Sequence, residues 1–188
     1  MVLHGSTGVG KTHLLHAIAL YARRLNPDRF VHLTSWNEWV RELVDALQRD
    51  RLTDFRETWS RRAVLLVDDV PMLRGREGAL REFRAMVGSL VQADLRVAIA
   101  LASAKRDSLG ADSRASAWGD GPVMELWPPD AREQFRILER RFEGAHPQVP
   151  LKAIHEACRL KPADLRASVG MIHSMLFKSR LSSTGHWR

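Results

Sequence analysis

Apolar positions recur along this chain with two rhythms. Up to about residue 126, short apolar runs alternate with longer amphipathic stretches, whereas beyond it only the helical rhythm continues. Val2-Leu3 reads as the end of a buried strand, and residues 13–22 carry an apolar stripe at helical spacing. Asn26-Pro27-Asp28 is a turn, and residues 30–34 alternate like a strand. Ser35 with Glu38 predicts a capping box, opening a helix whose buried face is expected to carry Trp36, Trp39, Val40, Leu43, Val44 and Leu47. A shorter helix over 53–60 follows, with Phe55 and Trp59.

Residues 63–69, Ala-Val-Leu-Leu-Val-Asp-Asp, are an apolar run typical of a strand covered on both faces, and the strand is expected to end in its two carboxylates. Pro71 breaks the chain before the basic turn Arg74-Gly75-Arg76. The next helix should bury Leu80, Phe83, Val87, Leu90 and Val91. Strands are predicted over 95–102 and 123–126, separated by a polar stretch. After Trp127-Pro128-Pro129, Asp130 with Glu133 caps a helix bearing Phe135, Ile137, Leu138 and Phe142, and further helices are expected over 151–160 and 163–179. A strand–helix alternation followed by helices alone predicts an α/β domain over 1–129 and a helical domain over 130–188.

Composition narrows the class. A chain of 188 residues buries about 70% of its unfolded surface, enough for one α/β domain and a small appendage. No apolar run approaches the ~20 residues that span a bilayer, so no membrane partner is expected. Cys158 is the single cysteine, which leaves no internal disulfide and suits a reducing compartment. The N-terminus lacks a basic segment followed by an apolar one, and a cytoplasmic location is expected. Net charge is +7, which points to a polyanionic partner. Only Lys11, Lys105, Lys152, Lys161 and Lys178 of the 29 basic residues are lysine, so the excess also fits a plain bias toward arginine.

The candidate chemistry begins at Gly5-Ser6-Thr7-Gly8-Val9-Gly10-Lys11-Thr12, which fits the phosphate-loop pattern of Gly, four residues, then Gly-Lys-Thr. Gly5, Gly8 and Gly10 let backbone N–H groups turn toward a phosphate, and Val9 and His13 are expected among the nucleotide-binding residues. Lys11 supplies a charge for the β/γ-phosphates of ATP or ADP, and the Thr12 hydroxyl is a ligand for Mg²⁺. In such proteins the acid at the end of a buried strand sits beside that threonine on the metal side, and a following acid orients water. Asp68 is the metal-side acid and Asp69 the catalytic, water-side one.

With these stretches in place, the chain resembles the nucleotide-binding region of the DnaA-type bacterial replication initiators, members of the AAA+ class. Gly8-Val9-Gly10-Lys11-Thr12-His13-Leu14-Leu15-His16-Ala17-Ile18, Asp45-Ala46-Leu47-Gln48, Leu65-Leu66-Val67-Asp68-Asp69, Pro128-Pro129 and Leu165-Arg166-Ala167-Ser168-Val169-Gly170 carry the likeness. It implies a three-layer αβα fold with a parallel sheet in the order 5-1-4-3-2 and a small helical lid. It also implies that Arg166 senses the γ-phosphate, and that Val44, Arg74 and Arg76 lie at or beside a channel for single-stranded DNA. The implied partners are single-stranded DNA and other DnaA-type AAA+ subunits or a helicase, in homo- or hetero-oligomers.

Departures from the family pattern are equally specific. Ala104 stands where the family positions water with an acid or amide, and Ala117 stands where it carries a finger arginine that reaches a neighbour's ATP. Arg114 is out of register with that position. The duplex-reading C-terminal domain and the segment that cradles adenine have no counterpart, which reads as a truncated fragment or a reduced paralogue. A slow or inert nucleotide switch in replication initiation or its regulation is therefore expected. Two other readings remain open: a non-catalytic adaptor of a full initiator or helicase, and a helicase-loader or transposition-helper ATPase.

Overall fold

A computed structural model describes residues 1–60, 64–71, 77–101, 121–144, 149–161 and 164–183. The basic turn with Arg74 and Arg76, and the stretch holding Ala104, Arg114 and Ala117, lie outside the described residues.

Five strands, β1 (Val2–Gly5), β2 (Val31–Ser35), β3 (Val64–Val70), β4 (Arg96–Leu101) and β5 (Val123–Leu126), form one sheet in the order β2-β3-β4-β1-β5. Every pairing is parallel, and this is the order that the family resemblance implies. Parallel strands need crossovers, and the sequence supplies them as helices α1 (Lys11–Leu25), α2 (Trp36–Gln48), α3 (Leu52–Ser60) and α4 (Glu77–Gln92). Because side chains alternate across a strand, each central strand feeds two cores. Leu65, Val67, Ile99 and Leu101 pack with Trp36, Trp39, Phe55, Trp59, Phe83 and Leu90 of α2, α3 and α4. Leu66, Val64, Ala98 and Ala100 pack with Leu15 and Ala19 of α1 on the other face. The result is the three-layer αβα arrangement.

Several expected stripes are trimmed by tertiary packing. Val44 and Leu47 are 44% and 56% exposed, and Ala46 is buried instead. Trp39 makes edge contacts with Phe55 and Trp59 of α3, which pulls the buried face of α2 toward Trp39, Leu43 and Ala46. Val91, the last but one residue of α4, is 56% exposed. The first strand helix is longer than its apolar stripe suggests, starting at Lys11 itself.

By contact the chain divides into two compact units: Met1–Ser6 with Gly10–Leu126, and Thr7–Val9 with Trp127–Arg188. The second unit holds α5 (Ala131–Phe142), α6 (Leu151–Leu160) and α7 (Leu165–Ser183) around Leu138, Val149, Ile154, Ala157 and Ile172. Its core also contains a polar knot. The amide of Gln134, fully buried, donates to Lys161 O at 2.7 Å and to Ser168 Oγ at 2.8 Å. The bonds offset the desolvation of both side chains and tie α5 to the α6–α7 connection. Among the described residues no helix is long and apolar enough to cross a membrane.

Both expected capping boxes are present, at Ser35/Glu38 and Asp130/Glu133. Bonds from the Ser35 backbone and hydroxyl and from Thr34 hold the Glu38 carboxyl below the usual carboxylate range. A depressed folded value stabilises the fold above the unfolded pKa and loses that contribution as pH falls through the folded one. Ser35→Ala also removes the hydroxyl that accepts from Glu38 N at the helix start, and loss of such a cap should lower the unfolding free energy by about 1 kcal/mol at neutral pH. Urea titrations of parent and variant should show the gap narrowing as Glu38 protonates in acid.

Candidate functional site

The loop between β1 and α1 is built on backbone conformations that side chains disfavour. Gly8 and Gly10 have φ of +84° and +104°, and a Cβ on Gly8 would stand 3.1 Å from Asp164 Oδ1. Glycine satisfies both demands at no steric cost. Gly10 is also the N-cap of α1 and brings no side chain to its first amides, and the first turn of α1 contains no acid. The N–H groups of Lys11, Thr12 and His13 belong to that first turn, where no intrahelical carbonyl is available. With the helix dipole behind them, they form a site for an anion. The His13 side chain itself is exposed, so its contribution to such a site is its amide.

Lys11 is 8% exposed, a rare condition for an ammonium. Its Nζ donates to Gly5 O at 2.8 Å and to Ser6 O at 2.9 Å, so the charge is folded back on the carbonyls of its own loop. Beside it, the Thr12 hydroxyl donates to Asp68 Oδ2 at 2.6 Å, a short charge-assisted bond between residues 56 apart in sequence. Asp68 Oδ1 accepts from Asp69 N at 2.9 Å.

The two acids do not end their strand as the sequence suggests. β3 continues to Val70, which is fully buried and pairs with Leu101. The sheet register shifts between Val67 and Val70, and Asp69 takes φ of +55°. Such a bulge lets the chain return an apolar residue to the core while placing one carboxylate beside Thr12 and turning the next to solvent. Asp68 is half-buried and Asp69 exposed.

Lys11, Thr12, Asp68 and Asp69 are thus brought together in the first unit. Arg166 belongs to the second unit and is exposed on the first turn of α7, where Asp164 Oδ1 accepts from Ala167 N at 2.9 Å. Val44 is exposed on α2. The sequence reading missed a pocket of about 360 Å³ in the second unit, lined by Val9, Trp127, Pro129, Glu133, Arg136, Ile137 and Leu165. Trp127 and Ile137 are 57% and 44% exposed, and a concavity of this mostly apolar lining suits a flat ring with few charges. Its residues are scattered over 157 positions of sequence, with no local spacing to announce them.

Among the described residues no three His, Cys, Asp or Glu side chains converge as a metal-binding group. Beside the loop, Thr12 of α1 and Asp68 of β3 offer a hydroxyl and a carboxylate, hard oxygens of the kind Mg²⁺ accepts while keeping water and phosphate as its remaining ligands.

Comparison with known proteins bears on this geometry. A family model described as the bacterial DnaA ATPase domain matches residues 1–111. The chromosomal replication initiator protein DnaA of Thermus thermophilus is 28% identical over 173 residues, covering 92% of this chain and 40% of that protein. The chain thus spans about 40% of the length of such curated relatives. Domain III of the Thermotoga maritima replication initiation protein DnaA superposes with a TM-score of 0.85 at 26% identity, covering 98% of this chain and 78% of that one. A replication initiator DnaA bound to AMPPCP and single-stranded DNA gives 0.76 at 23% identity over 95% of this chain and 55% of its own, a likeness of fold. Matched by the family model over more than half its length, with a phosphate loop and a strand acid 2.6 Å apart at Thr12 and Asp68, this chain belongs to the bacterial DnaA ATPase domain family.

Proposed function

We propose that this protein is a nucleotide switch of the DnaA type, binding ATP or ADP with Mg²⁺ and acting in the initiation of DNA replication or in its regulation. The observation that carries the reading is the meeting of Thr12 and Asp68 beside a buried Lys11 ammonium that donates to the carbonyls of Gly5 and Ser6. An ammonium held on two carbonyls is a phosphate site in waiting: a β/γ-phosphate offers it full negative charge in exchange for partial charge. Gly8, Val9, Gly10, Lys11, Thr12 and His13 offer amides, and Gly5 gives the turn its start. Thr12 and Asp68 would hold Mg²⁺, which when bound neutralises phosphate charge. Asp69, exposed next to Asp68, takes the water-orienting role in this reading. The γ-phosphate-sensing role goes to Arg166 by its match to the family's lid arginine.

The solved DnaA that is bound to AMPPCP and single-stranded DNA supports extending both ligand classes to this chain. Val44, exposed on α2, with Arg74 and Arg76, would meet the strand on the core domain. DnaA-type subunits are the natural oligomeric partner, and the site of action is the cytoplasm, where chromosome and nucleotide are found.

Lys11→Ala should weaken ATP and ADP binding by about thirty-fold, as loss of a charged hydrogen bond costs about 2 kcal/mol. Equilibrium binding of labelled nucleotide measures it, and equal affinity in parent and variant would sink the phosphate-loop assignment.

Single-stranded DNA should bind weakly and with strong salt dependence. Neutralising Arg74 and Arg76 together should flatten the log–log salt slope by about 1.4, since each single-strand phosphate contact contributes about 0.7. An unchanged slope means that these arginines do not touch the strand.

Turnover should be near background for the chain alone. Ala117 brings no cation to a neighbour's γ-phosphate, and a finger arginine is worth about 10³ to 10⁵ in rate where one is used. Single-turnover hydrolysis should rise when a catalytically dead initiator with an intact finger is added, and should stay flat when that finger is alanine. Fast hydrolysis by the isolated chain would show that another residue, Arg114 first among them, replaces it.

A further inference from the structure

Residues 127–188 hold eleven basic and six acidic residues, and so carry +5 of the chain's net +7. The nucleotide reading uses only Arg166 of these. Three other guanidinium groups border one open groove of about 830 Å³ between α5 and α6, lined by Arg132, Phe135, Arg136, Glu139, His155, Cys158 and Arg159. The lining on α5 falls at positions 131, 132, 135, 136 and 139, and on α6 at 155, 158 and 159, so each helix presents one face.

Two rings of this lining are stacked. Phe135 packs against the core of the second unit, and the His155 ring lies on it with centroids 4.3 Å apart and planes 29° from parallel. Phe135 is anchored, while His155 is exposed. The pair is thus a platform with its outer side in water. The charges around it are unequal. Arg159 is engaged by Glu156, Nε to Oε2 at 3.1 Å and Nη2 to Oε1 at 2.7 Å. Arg132 and Arg136 flank the rings from α5, with Glu139 one turn further on.

We propose that this groove is a second binding site for single-stranded nucleic acid, in which a base stacks on His155 and neighbouring phosphates meet Arg132 and Arg136. Aromatic faces between guanidinium groups are how sequence-tolerant single-strand sites are built, because every base has a π-face and every linkage a charge. A duplex offers the charges and hides the faces. An acidic peptide would satisfy the arginines and leave the ring platform without a partner. The groove shares no residue with the core-domain contact at Val44, Arg74 and Arg76, so the inference stands independently of that reading.

The test uses fluorescent oligo(dT) and oligo(rU) with the full chain, in parallel on an Arg74→Glu/Arg76→Glu background. The first oligomer against the second distinguishes DNA from RNA as the source of the strand. His155→Ala should weaken binding about five-fold or more, the loss expected for one stacked base, while His155→Phe should restore it. Arg132→Ala should flatten the salt slope by about 0.7, one phosphate contact. Arg136 also lines the smaller pocket near Val9 and is left intact. An oligomer carrying 5-iodouracil should photocrosslink to His155 or Phe135, and a blunt duplex of equal length should compete poorly. Retained binding on the reversed background that is lost with His155→Ala supports the groove. Binding lost on reversal of Arg74 and Arg76 and indifferent to His155 and Arg132 overturns it alone. A parent chain that binds neither oligomer overturns it together with the core-domain contact.

Discussion

A strand buried on both faces can carry charge only past its covered stretch, toward the rim of the sheet, and most of the geometry around the phosphate loop depends on that constraint. β3 packs Leu65 and Val67 into one core and Val64 and Leu66 into the other, leaving no position for a carboxylate until residue 68. Since every pairing is parallel, β1 and β3 emerge at the same edge. Loop and acids therefore share the rim where ligands of open α/β sheets gather. The Thr12–Asp68 bond spans that rim. The bulge at Asp69 adds a refinement, since it lets Val70 re-enter the core and keeps the strand anchored immediately past its charged residues.

Anion affinity at the loop follows from what the fold withholds. Gly10 gives α1 no capping side chain and the first turn has no acid, so the positive end of the helix is left uncompensated by its own sequence. Lys11 is held inside the loop by two carbonyls, at 2.8 and 2.9 Å. That arrangement keeps a buried ammonium satisfied and leaves a stronger partner to be preferred, which is how a rigid scaffold can be stable without ligand and still favour binding. The nearby α2 is secured by its own means: a capping box at Ser35 and Glu38 and a cluster of edge-on rings around Trp39. The buried indole N–H groups of Trp36 and Trp39 have no partner among the described residues, a cost accepted for the apolar area that two tryptophans bring.

The helical unit is organised differently. It has a small apolar centre, and a good part of its specificity comes from the Gln134–Ser168–Lys161 knot, whose bonds require three particular chain segments to meet. In sequence, residues 127–188 carry +5 of the net +7, whereas the larger apolar clusters lie around the sheet.

Signals of short range were legible in the sequence because their physics is local. The phosphate loop, the capping boxes at Ser35 and Asp130, the turn at Asn26-Pro27-Asp28 and the apolar run of β3 each depend on residues within one or two turns of each other. The resemblance carried by Gly-Lys-Thr-His-Leu-Leu-His-Ala and Leu-Val-Asp-Asp supplied the strand order, which no periodicity contains. Tertiary structure decided the rest. Ala46 rather than Val44 faces inward because α3 packs on that side of α2, and Leu47 and Val91, next to last in their helices, stay in water. The extension of β3 to Val70 required β4 to offer Leu101 as its partner. Whether Lys11 would be buried, whether Thr12 would reach Asp68, and which side chains would line the pocket at Val9 or stack in the groove at His155 all depend on segments brought together from far apart in the chain. Amphipathic spacing states which side of a helix is apolar, and only its neighbours determine how much of that side is covered.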